Sequence, residues 1–312
     1  GGWGDEASRP APPADPRKPV APAPAGPRRA APPVAAIGPL TFPKLEQARL
    51  ANGIPVTLAQ RGAVPTVEVN ISFDAGIAAD FVEAPGTQAM MLAMLDQGTS
   101  AAAAGGALGP TALLETEERL GASIRAGAAM DTSAVSLSAL SANLGPSLTL
   151  LADVVRHPAF TPADVERLRA QRLAQLAQTL ASPQGLALHR INALLYGAGH
   201  PYAAASNGLG NEAAIRAQTS ASLASAHRRW LRPDRARITV VGDVDMATLL
   251  PRLEAAFGDW RSPEPPPPAK PIDQPGAQTL PRIVVLDRPH SPQSLILGGK
   301  LLGLAGRTAG QE

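Results

Sequence analysis

Val67-Glu68-Val69-Asn70-Ile71-Ser72-Phe73-Asp74-Ala75-Gly76 is the stretch on which the reading of the fold turns. Apolar residues fall at every second position and polar ones lie between them, the pattern of a strand with one buried face. Val135, Leu137 and Ala139 repeat it, separated by Ser136 and Ser138. Residues 124–130 read as a strand joined to that one through Asp131-Thr132. Shorter strand candidates cover residues 55–59 and 237–242.

Between these strands the apolar period lengthens to that of helices. Residues 87–96 predict a helix stopped at Gly98. Residues 111–120 predict another ending at Gly121, and residues 144–155 a third. Thr161-Pro162 supplies an N-cap followed by proline at the first helical position, opening a helix that runs to residue 180. Further helices fit residues 185–195, 220–230 and 246–257. Paired strands followed by grouped helices predict an α+β fold, a two-layer domain with a mainly antiparallel sheet covered by helices.

The chain has 312 residues, of which 45% are hydrophobic and only 3% aromatic. Its core must therefore be built from Ala, Leu, Val and Ile. Residues 1–42 are rich in Pro, Ala and Gly and hold too few large apolar side chains to offset the entropy of ordering, so they read as a disordered linker. A second Pro-rich linker is expected at residues 261–281, around the four prolines from Pro265 to Pro268. Between the two lies a globular module, residues 43–260. Residues 282–312 are too few for a domain of their own. Net charge is +2 with basic residues scattered, which gives no stripe for nucleic acid. The chain has no Cys, which removes disulfides, Cys-ligated metal and thiol catalysis. No apolar run is long enough to span a membrane. The first residue is Gly and no signal-peptide region follows, so the chain is expected to be trimmed or part of something longer.

Several short motifs occur in a telling order. Leu50-Ala51-Asn52-Gly53-Ile54-Pro55-Val56 is followed by Asp74-Ala75-Gly76, Pro85-Gly86 and Leu95-Asp96-Gln97-Gly98-Thr99. Leu120-Gly121-Ala122-Ser123, Pro158-Ala159-Phe160, His200-Pro201-Tyr202 and Val241-Gly242-Asp243-Val244 come next, and Phe257-Gly258-Asp259-Trp260 closes the series. In that order they resemble the N-terminal domain of the insulinase/pitrilysin zinc metallopeptidases, the inverzincins, over residues 43–260. The resemblance continues past the second linker. There residues 284–289 and 293–296 look like the first strands of a second, similar domain, so residues 282–312 would be its truncated beginning.

Active members of that family carry H-x-x-E-H, which puts two His ligands on one helical face with a general-base Glu between them. Aligning Gly86 to Thr99 without gaps places the His positions at Ala89 and Ala93 and the base at Leu92. Counting back from Pro183 places the third ligand, a Glu in the family, at Gln175. The resemblance thus implies no metal and no catalytic residue in this chain, with zinc expected in a catalytic partner half. Met90, Met91 and Met94 read as core packing around a silent helix.

Isolated histidines at His157, His189, His200, His227 and His290 lack ligand spacing, and no Ser-hydrolase elbow or phosphate-binding Gly-rich loop occurs. In the family, substrate peptide adds to a sheet edge. The matching strand holds Gly121, Ala122, Ser123, Ile124, Arg125, Ala126 and Gly127, with Arg125 where active members often carry Asn. Edge addition uses backbone hydrogen bonds, so it survives loss of metal. An ordinary internal hairpin strand is the alternative. The resemblance implies a non-catalytic half of a peptide-degrading assembly, periplasmic or envelope-associated in a bacterium, with a zinc-bearing half as partner and peptide as substrate. A purely structural or binding subunit, like the silent core proteins of the same fold, is the alternative.

Overall fold

A computed structural model describes residues 43–100, 106–197, 199–262, 265–272, 282–289 and 293–302. The expected leader at residues 1–42 lies outside the described residues, as do parts of the stretches expected to be linker and second domain.

The strands are β1 (Leu45–Arg49), β2 (Pro55–Gln60), β3 (Thr66–Phe73), β4 (Ser123–Ala128), β5 (Ser133–Leu140) and β6 (Ala236–Gly242). They form one six-stranded sheet in the order β1-β2-β6-β3-β5-β4. Every pairing is antiparallel except β2 with β6. That parallel pair follows from chain direction: β6 returns after a long helical excursion and enters the sheet between β2 and β3. The alternation read in the sequence is the burial pattern seen. Val67, Val69, Ile71 and Phe73 are buried, as are Val135, Leu137 and Ala139. On the opposite face, Asn70 Nδ2 donates to Ser136 Oγ at 2.8 Å, its register partner across β3 and β5.

The helices are α1 (Thr87–Ala93), α2 (Pro110–Leu120), α3 (Leu144–Arg156), α4 (Pro162–Ala181), α5 (Pro183–Tyr196), α6 (Glu212–Ala217), α7 (Ser220–Trp230) and α8 (Met246–Phe257). Together α1, α3, α7 and α8 cover the apolar face of the sheet. Their buried residues include Met90, Leu148, Leu151, Leu223, Trp230, Leu249 and Phe257. With few aromatics, most of this core is aliphatic, and its stability rests on many close dispersion contacts.

Three elements differ from the sequence reading. The helix expected over residues 87–96 is shorter: α1 ends at Ala93 and a 3₁₀ turn, Leu95–Gln97, follows. The stop is Gly98, at φ 121°, where a Cβ would sit 2.3 Å from the Leu108 carbonyl oxygen. Only glycine fits there. The short strand β1 and helix α6 were not foreseen, because neither is long enough to show a period.

The Pro-rich stretch has fixed attachments over residues 265–272. Arg232 donates to the Pro265 carbonyl at 2.7 Å and Arg235 to that of Pro267. Lys270 Nζ donates to the carbonyls of Ala75 and Asp131, and pairs with Asp74 at 2.7 Å.

Candidate functional site

Helix α1 is held at its start by a buried carboxylate. Asp80, in the 3₁₀ turn Ile77–Phe81, accepts the Gly86 N–H at 2.7 Å and the Gln88 N–H at 2.9 Å. These are orphan donors at a helix start. Burial pushes the Asp80 carboxyl up to about 7, against the pull of those two N–H groups. Gln218 donates to Thr87 Oγ1 at 3.3 Å, and Ser133 reaches toward the fully buried Gln88.

With its start fixed, α1 turns Ala89 and Ala93 to one side, four residues apart, and both are half-buried. Leu92 is only 2% exposed and belongs to the core with Met90, Met91 and Met94. Gln175 lies on α4 and is exposed. One turn earlier on that helix, Arg172 donates from Nη2 to the Ala89 carbonyl oxygen at 2.9 Å, so α4 reaches α1 at the level of Ala89. The remaining space beside Ala89 is limited: a Cβ on Gly208 would meet the Ala89 Cβ at 3.0 Å.

These residues do not fit a zinc ion. Alanine and leucine side chains carry no lone pair, and the amide oxygen of Gln175 is a weak neutral donor. Among the described residues, no group of three or more His, Cys, Asp or Glu is arranged to hold a metal.

The strand read as a candidate peptide site is the last in the sheet. β4 pairs with β5 on one side, and no described strand lies on its other. Gly121 is the left-handed cap of α2, at φ 61°, and turns the chain into β4. Ile124 is buried, Arg125 and Gly127 are exposed, and Ala122, Ser123 and Ala126 are half-buried. Ile124 has local partners. Arg125 Nη1 donates to the Ile124 carbonyl at 2.7 Å and stands 3.8 Å from the Glu117 carboxylate. Burial raises the Glu117 pKa, while the Ile124 N–H and Arg125 hold it down.

The N-terminal end of α1 also borders a cavity of about 760 Å³. Leu173, Leu176 and Leu180 of α4 form one wall, Ile77 and Asp80 another, and His189 faces it from α5. Two of the histidines, His227 and His200, have structural placements. His227 is buried and donates from Nε2 to the Val155 carbonyl at 2.8 Å, with burial pushing its pKa down to about 4. His200 accepts the Tyr202 N–H at Nδ1 and stacks on Tyr196. His290 lies outside the described residues. Sequence reading missed Asp80, Glu117 and Arg172, since a lone charged residue in a helix or turn reads as solvated.

Residues 56–203 match the family model for insulinase (peptidase family M16), and residues 218–302 match that for the peptidase M16 inactive domain. No curated protein matches the sequence. Among solved structures, the peptidase M16 inactive domain from Pseudomonas fluorescens is 28% identical. That match covers 74% of this chain and 54% of that one, with a TM-score of 0.66. A protease from Helicobacter pylori is 20% identical over 75% of this chain and 55% of that one, with a TM-score of 0.64. The first half of the periplasmic protease PqqL from Escherichia coli is 16% identical over 73% of this chain and 48% of that one, at 0.61. The last two are similar in fold. The chain spans about half the length of these solved chains.

Proposed function

Because this chain belongs to the insulinase family of peptidases, family M16, we propose that it is a zinc-less, non-catalytic half of a metallopeptidase assembly. The observation that carries this reading is the composition of α1. The positions assigned to two ligands and a general base hold Ala89, Ala93 and the buried Leu92. Helix α1 is packed as a core element, and hydrolysis of a peptide bond by zinc requires about three protein ligands and an open coordination position. The match of residues 218–302 to an inactive-domain model agrees with a silent half.

The partner under this proposal is a zinc-bearing half of the same family, fused or separate, and the zinc of the assembly resides there. This chain would close the peptide chamber and offer β4 as an edge to which substrate peptide adds through backbone hydrogen bonds. Ser123 to Gly127 would make that contact, with Arg125 withdrawn from the Ile124 carbonyl. Residues 282–312 would open a second domain of like fold. A periplasmic or envelope location in a bacterium is part of the same reading, supported by the likeness to a periplasmic protease.

Purification of the protein from its native host, followed by zinc analysis and a peptide-cleavage assay, tests the proposal. The expected result is a co-purifying H-x-x-E-H protein that holds all the zinc and loses activity when this chain is removed. A stable complex with no cleavage in any combination would favour the structural-subunit reading instead.

A further inference from the structure

Helix α5 is apolar along much of its length, with Leu186, Leu188, Ile191, Leu194 and Leu195, yet none of its residues is buried. Leu173 and Leu180 of α4 are only half-buried, and they pack with Leu176, Leu209 and Ile215 in a small cluster separate from the main core. Both helices and the turn Ile77–Phe81 line the cavity of about 760 Å³. That volume is in the range of pockets that take small ligands, which are typically apolar with a few placed polar groups. The stripe of Leu173, Leu176 and Leu180 supplies the apolar wall.

The charges on the lining do not balance. Three carboxylates belong to it, and each is matched. Glu83 pairs with Arg229 at 2.8 Å, Glu212 pairs with Arg216 at 2.8 Å, and Asp80 accepts the Gly86 and Gln88 N–H groups. Arg190 of α5 also lines the cavity, and it makes no hydrogen bond or ion pair among the described residues. It is exposed, which puts its guanidinium at the mouth. Its neighbour His189 has Nδ1 sealed from solvent without a hydrogen-bond partner. His200, the other histidine of the lining, has its Nδ1 engaged by the Tyr202 N–H. Burial, and then the charge on Arg190, hold the His189 pKa below the ordinary histidine value, so the ring is neutral and can donate from Nδ1. A buried ring nitrogen left unbonded costs free energy, and a ligand oxygen in contact with it would relieve that cost. Asp80, with its carboxyl pushed up to about 7, is mostly protonated at pH 6 and repels an anion little there.

We propose that this cavity binds an aliphatic carboxylate, its chain along Leu173, Leu176 and Leu180 and its acid group held by Arg190 and the His189 Nδ1–H. Guanidinium and carboxylate match as paired donors and acceptors. The acid is either a free aliphatic acid or the C-terminal residue of a peptide. The inference stands apart from the proposed function, since neither a partner half nor the β4 edge enters it.

Calorimetric titration of the full chain at pH 6 tests the site and separates the sources. The probes are octanoate and octanamide, and N-acetyl-alanyl-leucine and its C-terminal amide. At least one acid should bind about tenfold more tightly than its amide, the preference a charge-assisted hydrogen bond gives. A preference shown by octanoate alone marks the free acid as ligand, and one shown by the dipeptide alone marks a chain terminus. Arg190→Lys should retain part of the preference and Arg190→Gln should abolish it; the position is exposed, so the fold tolerates both. Ala177→Trp, at an exposed position of the lining, should weaken acids and amides alike. By NMR the His189 ring should titrate at higher pH with the acid bound, because a nearby negative charge favours the imidazolium, and should be unmoved by the amide. Failure of both acids to bind, equal affinity for acid and amide, a preference that survives Arg190→Gln, or a His189 titration unmoved by the acid overturns the proposal.

Discussion

At the scale of single residues, two buried titratable groups pull stability in opposite directions with pH. Asp80 has its folded pKa raised to about 7. Its ionised form is penalised in the fold, so its contribution improves as pH falls from about 7 toward 3.8. His227 has its folded pKa lowered to about 4, so it must stay neutral in the fold. Its contribution worsens as pH falls from 6.5 toward 4. Each alone gives a slope of about 1.4 kcal/mol per pH unit, of opposite sign. Asp80→Asn removes one of them. Between pH 4.5 and 6.5 the variant should lose about 1.4 kcal/mol more per unit of acidification than the wild type, measured by urea unfolding at several pH values. Identical slopes would mean that Asp80 does not titrate in this window. A second residue-level outcome concerns Leu92. Leu92→Glu places a carboxylate in a packed core and should destabilise by about 3 kcal/mol or more without creating metal affinity. Near-neutral stability of that variant would show that position 92 faces solvent.

Elements were legible in the sequence to the extent that they were long and one-sided. Helices α7 and α8 have the boundaries that periodicity and caps imply, because Thr219 and Asp245 cap them through their side chains. Strand β3 likewise announced itself by alternation. The parallel pairing of β2 with β6 was not legible, since it depends on where a returning strand inserts and not on any local pattern. The packing of Met90, Met91, Leu92 and Met94 into the core was readable from their apolar side chains, whereas the anchor Asp80 was not, because a capping role across six residues leaves no periodic trace. At this scale the edge of β4 carries its own prediction. Arg125 occupies the Ile124 carbonyl and Glu117 stands by its N–H, a local cover of the kind that protects sheet edges from unwanted pairing. Arg125→Ala should therefore raise affinity for an extended neutral peptide several-fold, read by fluorescence polarisation of a labelled octapeptide, with the increase abolished by N-methylation of the peptide. A fall in affinity would instead make Arg125 a direct contact.

For the molecule as a whole, the Pro-rich segment at residues 265–272 is tied back to the sheet module, and Lys270 is its chief fastening. The side chain is 6% exposed and meets Asp74 and two backbone carbonyls. Proline content read in sequence reports stiffness and lack of internal hydrogen bonds. It does not report attachments made by cations on other elements, such as Arg232 and Arg235. Lys270→Ala should leave the module folded but release the segment, so that limited proteolysis cuts within residues 265–272 several-fold faster than in the wild type. Unchanged cleavage would show that the arginines suffice.

The central claim is that α1 has exchanged metal chemistry for packing and that any zinc in the assembly belongs to the other half. Zinc titration of the isolated chain by calorimetry, with metal analysis of the dialysed protein, addresses it most directly. The account predicts no saturable high-affinity zinc binding and no retained metal. One tightly held zinc per chain, together with peptide cleavage that a chelator abolishes, would contradict it.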